Sequence, residues 1–215
     1  KIITKEDHSV FSLKINKNKF KKYKRNYTFI VKLLGIHNIL NTTASISVGF
    51  LLNLPIEKIK NALLNFQGVK RRFTFLGKIN NASVYDDYAH HPTEIKATLN
   101  IAKKIKKNKI IVVFQPHRYS RTKNLYSDFL HALIKVDFLF ISDIYAAGEK
   151  PIKGVNAPKL VRDLSKKGLK NVYYLDSLIN LNSTLSIFYE KENLIIFMGA
   201  GSISQWAYDL MEELC

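Results

Sequence analysis

Asp86-Asp87-Tyr88-Ala89-His90-His91-Pro92-Thr93-Glu94 lies between Val84-Tyr85, the end of a short β-type run, and Ile95, Leu99, Ala102 and Ile105, which come after it at helical spacing. Pro92 stands as a first-turn helix residue, where a missing N–H breaks no intrahelical bond. The stretch therefore reads strand, polar loop, helix. It also crowds two carboxylates, a phenol and two imidazoles into one connection. Two readings are open from these residues alone. One is a capped helix start, with His91 or Thr93 satisfying free amides; the other is a functional loop.

On both sides of this stretch the same alternation recurs. Strands are expected near 73–78, 82–86, 110–115, 136–142, 171–175 and 194–198, with helices over 93–107, 122–134, 158–167 and 203–214. Ile110-Ile111-Val112-Val113-Phe114 and Leu194-Ile195-Ile196-Phe197-Met198 are continuous apolar runs, as strands covered on both faces require. The pattern predicts an α/β domain with a mostly parallel, Rossmann-like sheet. Val69-Lys70-Arg71-Arg72-Phe73 reads as the linker into it. Before the linker, alternation in Val10–Ile15 and Tyr27–Leu33 predicts a β-hairpin or two edge strands around a basic turn from Asn16 to Asn26. Gly35-Ile36-His37-Asn38-Ile39-Leu40-Asn41 then leads into a helix over Thr42–Leu52, and Pro55 opens a second. His37, Asn38 and Asn41 either cap the first helix or present two amides to one ligand edge.

In an open parallel sheet, ligands bind outside the carboxyl ends of the strands. The residues just past the expected strands are Asp86–His91, Gln115–Arg121, Asp143–Glu149 and Gly199–Ser202. Every polar cluster falls on one edge. Purely structural connections have no reason for that asymmetry, which favours a functional edge.

The formal charge of +17 invites a nucleic-acid-binding module. The lysines, however, are scattered among abundant Asn and Ile, as in a solvated surface with a general compositional bias. The six arginines are more informative, because Arg71-Arg72 and Arg118/Arg121 form tight pairs. A planar guanidinium binds carboxylate or phosphate bidentately in a way lysine cannot. One cysteine, Cys215, excludes an internal disulfide framework and suits a reducing cytoplasm. No run of about 18 apolar residues is present, so neither a membrane span nor a leader is expected. The paired Asp and His residues raise a metal site, but no matching ligand set occurs elsewhere, and neutral hydrogen-bonding roles are favoured.

Together, Gly35-x-His37-Asn38-x-x-Asn41, Phe66-Gln67-Gly68-Val69-x-Arg71-Arg72-Phe73, the Asp86–Glu94 stretch, Phe114-Gln115-Pro116-His117-Arg118-Tyr119-Ser120-Arg121-Thr122, Tyr145-Ala146-Ala147-Gly148-Glu149 and Met198-Gly199-Ala200-Gly201-x-Ile203 closely resemble, in order and spacing, the second half of the amino-acid-adding Mur ligases. The resemblance runs from about residue 35 onward. It implies ATP-dependent joining of L-alanine to the muramyl carboxylate of UDP-N-acetylmuramate in peptidoglycan synthesis, through an acyl phosphate, with ATP and Mg2+ as cofactors. It further implies nucleotide contacts at His37, Asn38, Asn41, Arg72 and Asp86. Tyr88, His90, His117, Arg118 and Arg121 would line the amino-acid end, with His90 and Arg118 catalytic. A family branch that joins a tripeptide to UDP-N-acetylmuramate shares the Asp-Asp-aromatic-Ala-His-His-Pro-Thr string; the Phe114–Arg121 stretch favours alanine.

One departure is large. The family's Gly-x-x-Gly-Lys-Thr phosphate loop, its magnesium-binding acidic residue and its UDP-binding domain have no counterpart in these residues. The nearest string, Gly148-Glu149-Lys150-Pro151, is not such a loop. The expectation is therefore the tail of a P-loop-type central ATP-binding domain over 1–68 and the C-terminal ligase domain over 69–215. Such a stretch would be inactive alone, which leaves room for a separately encoded N-terminal half.

Overall fold

The computed structural model describes residues 2–4, 8–176 and 181–214; Lys1 and the lone cysteine, Cys215, lie outside them. It divides into two units, Lys1–Val69 and Lys70–Cys215.

In the first unit, β1 (Ile2–Thr4), β2 (Ser9–Lys14) and β3 (Asn26–Val31) form an antiparallel sheet in that order. The side-chain period of two turns Phe29 and Val31 inward and Thr28 and Ile30 outward. Phe11 pairs with Phe29 across the ladder and stacks on it, ring centroids 5.8 Å apart. The expected hairpin is β2–β3, and β1 adds a short third strand. Its basic connection is more than a solvated turn. Tyr23 is buried, stacks on Phe50 at 4.1 Å and donates its hydroxyl to Leu54 O at 2.8 Å. Helices α1 (Ile36–Leu51) and α2 (Ile56–Asn65) complete the core through Ile39, Ile46, Phe50 and Ile59.

Helix α1 starts at Ile36 rather than Thr42, so His37, Asn38 and Asn41 sit inside its first turns and do not cap it. Gly35, at φ 94°, takes the cap position with no side-chain bond. That conformation suits glycine, and it lets the helix begin six residues before the small-residue run that suggested its start.

In the second unit, six strands lie in the order β4 (Thr74–Ile79), β5 (Ala82–Asp87), β9 (Leu194–Met198), β6 (Ile110–Phe114), β7 (Phe138–Ser142) and β8 (Val172–Leu175). β4 is antiparallel to β5; every other pairing is parallel. β6 and β9 are buried at all their positions because helices cover both faces. Ile110, Val112, Phe114, Leu139 and Ile141 belong to the core with α3 (Pro92–Ile105), α5 (Tyr126–Leu133) and α6 (Ala157–Lys166). Ile111, Val113, Phe140, Ile195 and Phe197 belong to the other, with α7 (Leu181–Leu185) and α8 (Ile203–Leu214).

The helix expected over 122–134 is two. α4 (Tyr119–Asn124) and α5 are separated at Leu125, whose φ of −109° and ψ of 22° interrupt the helical path. α7 and a 3-10 turn after it (Ser186–Phe188) were not expected, being too short to show a period. Because β5, β9, β6 and β7 run parallel, the connections after all four emerge at one edge.

Candidate functional site

Strand alternation sends the two aspartates that end β5 to opposite faces. Asp87 turns toward α3. Its Oδ1 accepts from the Ala89 N–H at 2.7 Å and its Oδ2 from the Phe73 N–H at 2.8 Å, so it fixes both the loop after it and the entry to β4. Burial pushes its pKa up to about 6, against the opposing effect of bonds from Ala89, Thr98 and Phe73 and the charge of Arg72. Since this folded value exceeds the unfolded one, Asp87's contribution to stability is fully present below about pH 4 and is lost as pH rises through 6, a swing of at most about 3 kcal/mol. A 13C carboxyl titration should show its midpoint near 6. A midpoint at or below about 4, the unperturbed carboxylate value, would show that burial is not what governs it.

Asp86 turns toward α8 and is fully buried; its Oδ2 accepts from Ser204 Oγ at 2.6 Å and lies 3.9 Å from Arg71 Nε. Burial raises its pKa, opposed by Ser204 and Arg71. The other oxygen of Asp86, Oδ1, is buried and has no hydrogen-bond partner among the described residues. Arg71, which the sequence marked only as one of a pair, is the clamp of this corner. Its Nη2 donates to Gly199 O at 2.7 Å and Gly201 O at 3.3 Å, its own carbonyl accepts from the Tyr88 N–H at 2.7 Å, and its guanidinium lies 4.7 Å from the Tyr88 ring centre. Arg72 is half-exposed, with Nη1 3.8 Å from Glu94 Oε1.

At the start of α3 the expected helix cap is present. His91 is the cap: its Nδ1 accepts from the Thr93 N–H at 3.3 Å while Glu94 Oε2 accepts from the His91 N–H at 3.2 Å. His90 instead faces an open cavity of about 680 Å³. Tyr88, His90, His117, Arg118 and Arg121 all line it, joined by His91, Ser120, Asn124 and Leu125. The last two come from the unforeseen break between α4 and α5.

Hydrogen bonding assigns different roles to the two imidazoles. His90 Nδ1 is 2.9 Å from Tyr88 O, and a carbonyl only accepts, so Nδ1 carries the hydrogen and a neutral His90 presents the lone pair of Nε2. His117 Nδ1 is 3.0 Å from Arg121 Nη1, and a guanidinium only donates, so the hydrogen of His117 is on Nε2. Burial lowers the His117 pKa, and the charges of Arg121, His90 and Arg118 lower it further. With ring centres 5.6 Å apart, one ring offers an acceptor and the other a donor to the same space.

The connections after β6 and β7 are zipped together. Arg118 N–H donates to Tyr145 O and Tyr145 N–H to Pro116 O, each at 2.8 Å, and the His117 and Tyr145 rings stack at 5.4 Å. Arg118 is held at φ 71°, a conformation uncommon for a residue with a Cβ. Gly199 and Gly201 let this edge close up. A Cβ on Gly199 would sit 2.8 Å from Gln115 O, and one on Gly201 would run into Gln115 Oε1 and the Tyr145 ring.

On α1 in the first unit, Asn38 donates its side-chain amide to Leu34 O at 2.8 Å, and Asn41 is exposed. Among the described residues, no group of three or more His, Cys, Asp or Glu side chains is arranged to hold a metal ion, and no helix is long and apolar enough to cross a membrane.

Comparison with known proteins gives a consistent result. A model of the Mur ligase glutamate ligase domain matches residues 71–201. The UDP-N-acetylmuramate–L-alanine ligase of Rickettsia africae (strain ESF-5) is 48% identical over 186 residues, covering 84% of this chain and 38% of that protein. The protein of the same name from Rickettsia bellii (strain OSU 85-389) is 46% identical over 185 residues, 83% of this chain and 38% of that one. The crystal structure of the UDP-N-acetylmuramate-alanine ligase of Thermotoga maritima superposes with a TM-score of 0.76 at 29% identity, covering 97% of this chain and 43% of that one. A murein peptide ligase from Psychrobacter arcticus 273-4, at a TM-score of 0.62 and 19% identity, covers 97% of this chain and 42% of that one and shares the fold. The chain thus spans about 38% of the length of the curated relatives it matches.

Proposed function

Because the chain belongs to the Mur ligase family through residues 71–201, we propose that its second unit binds L-alanine for ATP-dependent joining to the muramyl carboxylate of UDP-N-acetylmuramate, a cytoplasmic step of peptidoglycan synthesis. The observation that carries this reading is the cavity into which two separate connections place Tyr88, His90, His117, Arg118 and Arg121. Two guanidinia and an imidazole N–H suit a carboxylate; a lone pair beside them suits an ammonium. The relatives at 46–48% identity carry L-alanine in their names, which favours alanine over the tripeptide-joining branch.

In this reading, Arg121 and Arg118 hold the alanine carboxylate, and the His117 Nε2–H donates to it. His90 Nε2 takes a proton from the ammonium, which frees the amine's lone pair for attack on the activated muramyl carbonyl; the C–N bond forms, the C–O bond to phosphate breaks, inorganic phosphate leaves, and the remaining excess amine proton passes to solvent. The Tyr88 carbonyl and Glu94 stabilise the imidazolium so formed, since Glu94 Oε2 lies 3.4 Å from His90 Nδ1. Bound ATP supplies the phosphoryl group that activates the carboxyl as an acyl phosphate. Toward ATP this chain offers, in its second unit, the half-exposed guanidinium of Arg72 and the carboxylate of Asp86, whose Oδ1 has no hydrogen-bond partner among the described residues. In its first unit, proposed as the tail of the central ATP-binding domain, it offers His37, Asn38 and Asn41 on α1. No Mg2+ ligand is proposed among the described residues. Where the phosphate loop and UDP-binding part belong to a separately encoded half, that half would be a partner.

The test is an NMR titration of the chain with L-alanine, monitored at the His90 and His117 ring signals. Both should shift with one saturation curve, and L-alaninamide, which lacks the carboxylate, should leave them unmoved. Equal shifts with the amide would remove carboxylate recognition from this cavity.

A further inference from the structure

Resting on the amino-acid reading of the cavity, we infer that Glu149 sets its charge selectivity, admitting ligands with one carboxylate and turning away those with two. Glu149 comes after β7, in a turn closed by its own N–H to Ala146 O at 3.0 Å. Both carboxylate oxygens are anchored to a residue of the cavity wall. Oε2 accepts from the Ser120 N–H at 2.9 Å and Oε1 from Ser120 Oγ at 2.6 Å, while Oε1 also lies 3.6 Å from Arg118 Nη1. The Ser120 bonds, with Arg118 assisting, hold the Glu149 pKa below the usual carboxylate value, so it is an anion in this position.

The charges around the cavity then decide what it can hold. Arg118 and Arg121 bring two positive charges. His117 adds none, because its Nδ1 is bound by Arg121 and its pKa is lowered. Glu149 cancels one of the two, and Glu94, on the His90 side, is a second anion, with Arg72 beside it. One net positive charge is left for a ligand. A single carboxylate matches it, whereas a second would lie in the field of Glu149, a repulsion that discriminates without any contact to the favoured ligand. The β-bridge between His117 and Tyr145 keeps the loop bearing Glu149 against the loop bearing Arg118, so the arrangement is fixed by the fold.

L-glutamine and L-glutamate have the same shape and differ by this one charge, so the ratio of their affinities reads charge selectivity free of size. The chain, Glu149→Gln and Glu149→Asp are titrated with L-alanine, L-glutamine and L-glutamate, monitored at the same ring signals, with Glu149→Ala alongside should the Gln variant not fold. The expected result is that the chain prefers glutamine, that Glu149→Gln (or Ala) shifts the ratio toward glutamate by about tenfold, one pair-charge interaction in a partly solvated site, and that Glu149→Asp restores the preference for glutamine. A ratio unchanged by loss of the charge, with alanine still bound, overturns the inference alone. Failure of the chain and all variants to bind any of the three defeats the carboxylate reading of the cavity and the inference with it.

Discussion

Supplied with ATP, Mg2+, UDP-N-acetylmuramate and L-alanine, these 215 residues by themselves are expected to release no phosphate above the uncatalysed rate. Phosphoryl transfer leaves little covalent chemistry to the protein, and its acceleration comes from positioning and from charge placed against the terminal phosphate. In this family that work is implied to fall to a Gly-x-x-Gly-Lys-Thr loop, and no such run occurs in the sequence. Arg72 could contact a nucleotide, but one half-exposed guanidinium paired with Glu94 does not replace a loop of backbone N–H groups and its lysine. The expected loss is the whole of the enhancement, at least about a millionfold for an enzyme of ordinary power. Phosphate release measured on the purified chain, then on the chain mixed with a separately expressed polypeptide carrying the loop, checks it. Substrate-dependent turnover by the chain alone would show the argument to be wrong.

Arg121→Lys should weaken L-alanine binding by about 10–100-fold, the loss of a charge-assisted hydrogen bond of roughly 1.5–3 kcal/mol. Lysine keeps the charge, but Arg121 performs two tasks that need a fork. Its Nη1 donates to His117 Nδ1 at 3.0 Å and to His117 O at 3.3 Å, leaving its other N–H groups for the ligand. A single ammonium cannot hold the imidazole and the carboxylate in those directions together. The variant should also raise the His117 pKa, since the donor that demands a bare Nδ1 is gone. Arg118→Lys should cost less, because Arg118 is exposed and already shares its charge with Glu149. Titrating both variants with alanine tests the order. Unchanged saturation in both would take these arginines out of the amino-acid site.

Asp86–Glu94 shows where legibility stopped. Its place between strand and helix, the Pro92 start and the concentration of polar groups came from local composition, and the structure agrees with each. His91 was named there as a candidate cap, and it does cap α3. That His91 also borders the cavity beside His90 was not legible, because it depends on the direction in which the chain enters the helix. The two aspartates were equally alike in sequence, and strand alternation separated them into a bond to Ser204 in α8 and a cap for Ala89. Glu149 was visible only as a member of a polar cluster, because its partners Arg118 and Ser120 lie about thirty residues away along the chain.

Residue order alone was enough for the α/β architecture, the six strands of the second unit and the edge at which its polar residues collect. Those depend on hydrophobic period and strand direction, which are properties of short segments. The tautomers of His90 and His117, the burial of Asp86, the clamp at Arg71 and the helix break that brings Leu125 to the cavity emerged only on folding. Each of these is set by which atom of a distant connection arrives within about 3 Å, the hydrogen-bonding range, and that is fixed only when β9 inserts between β5 and β6 and draws their loops together.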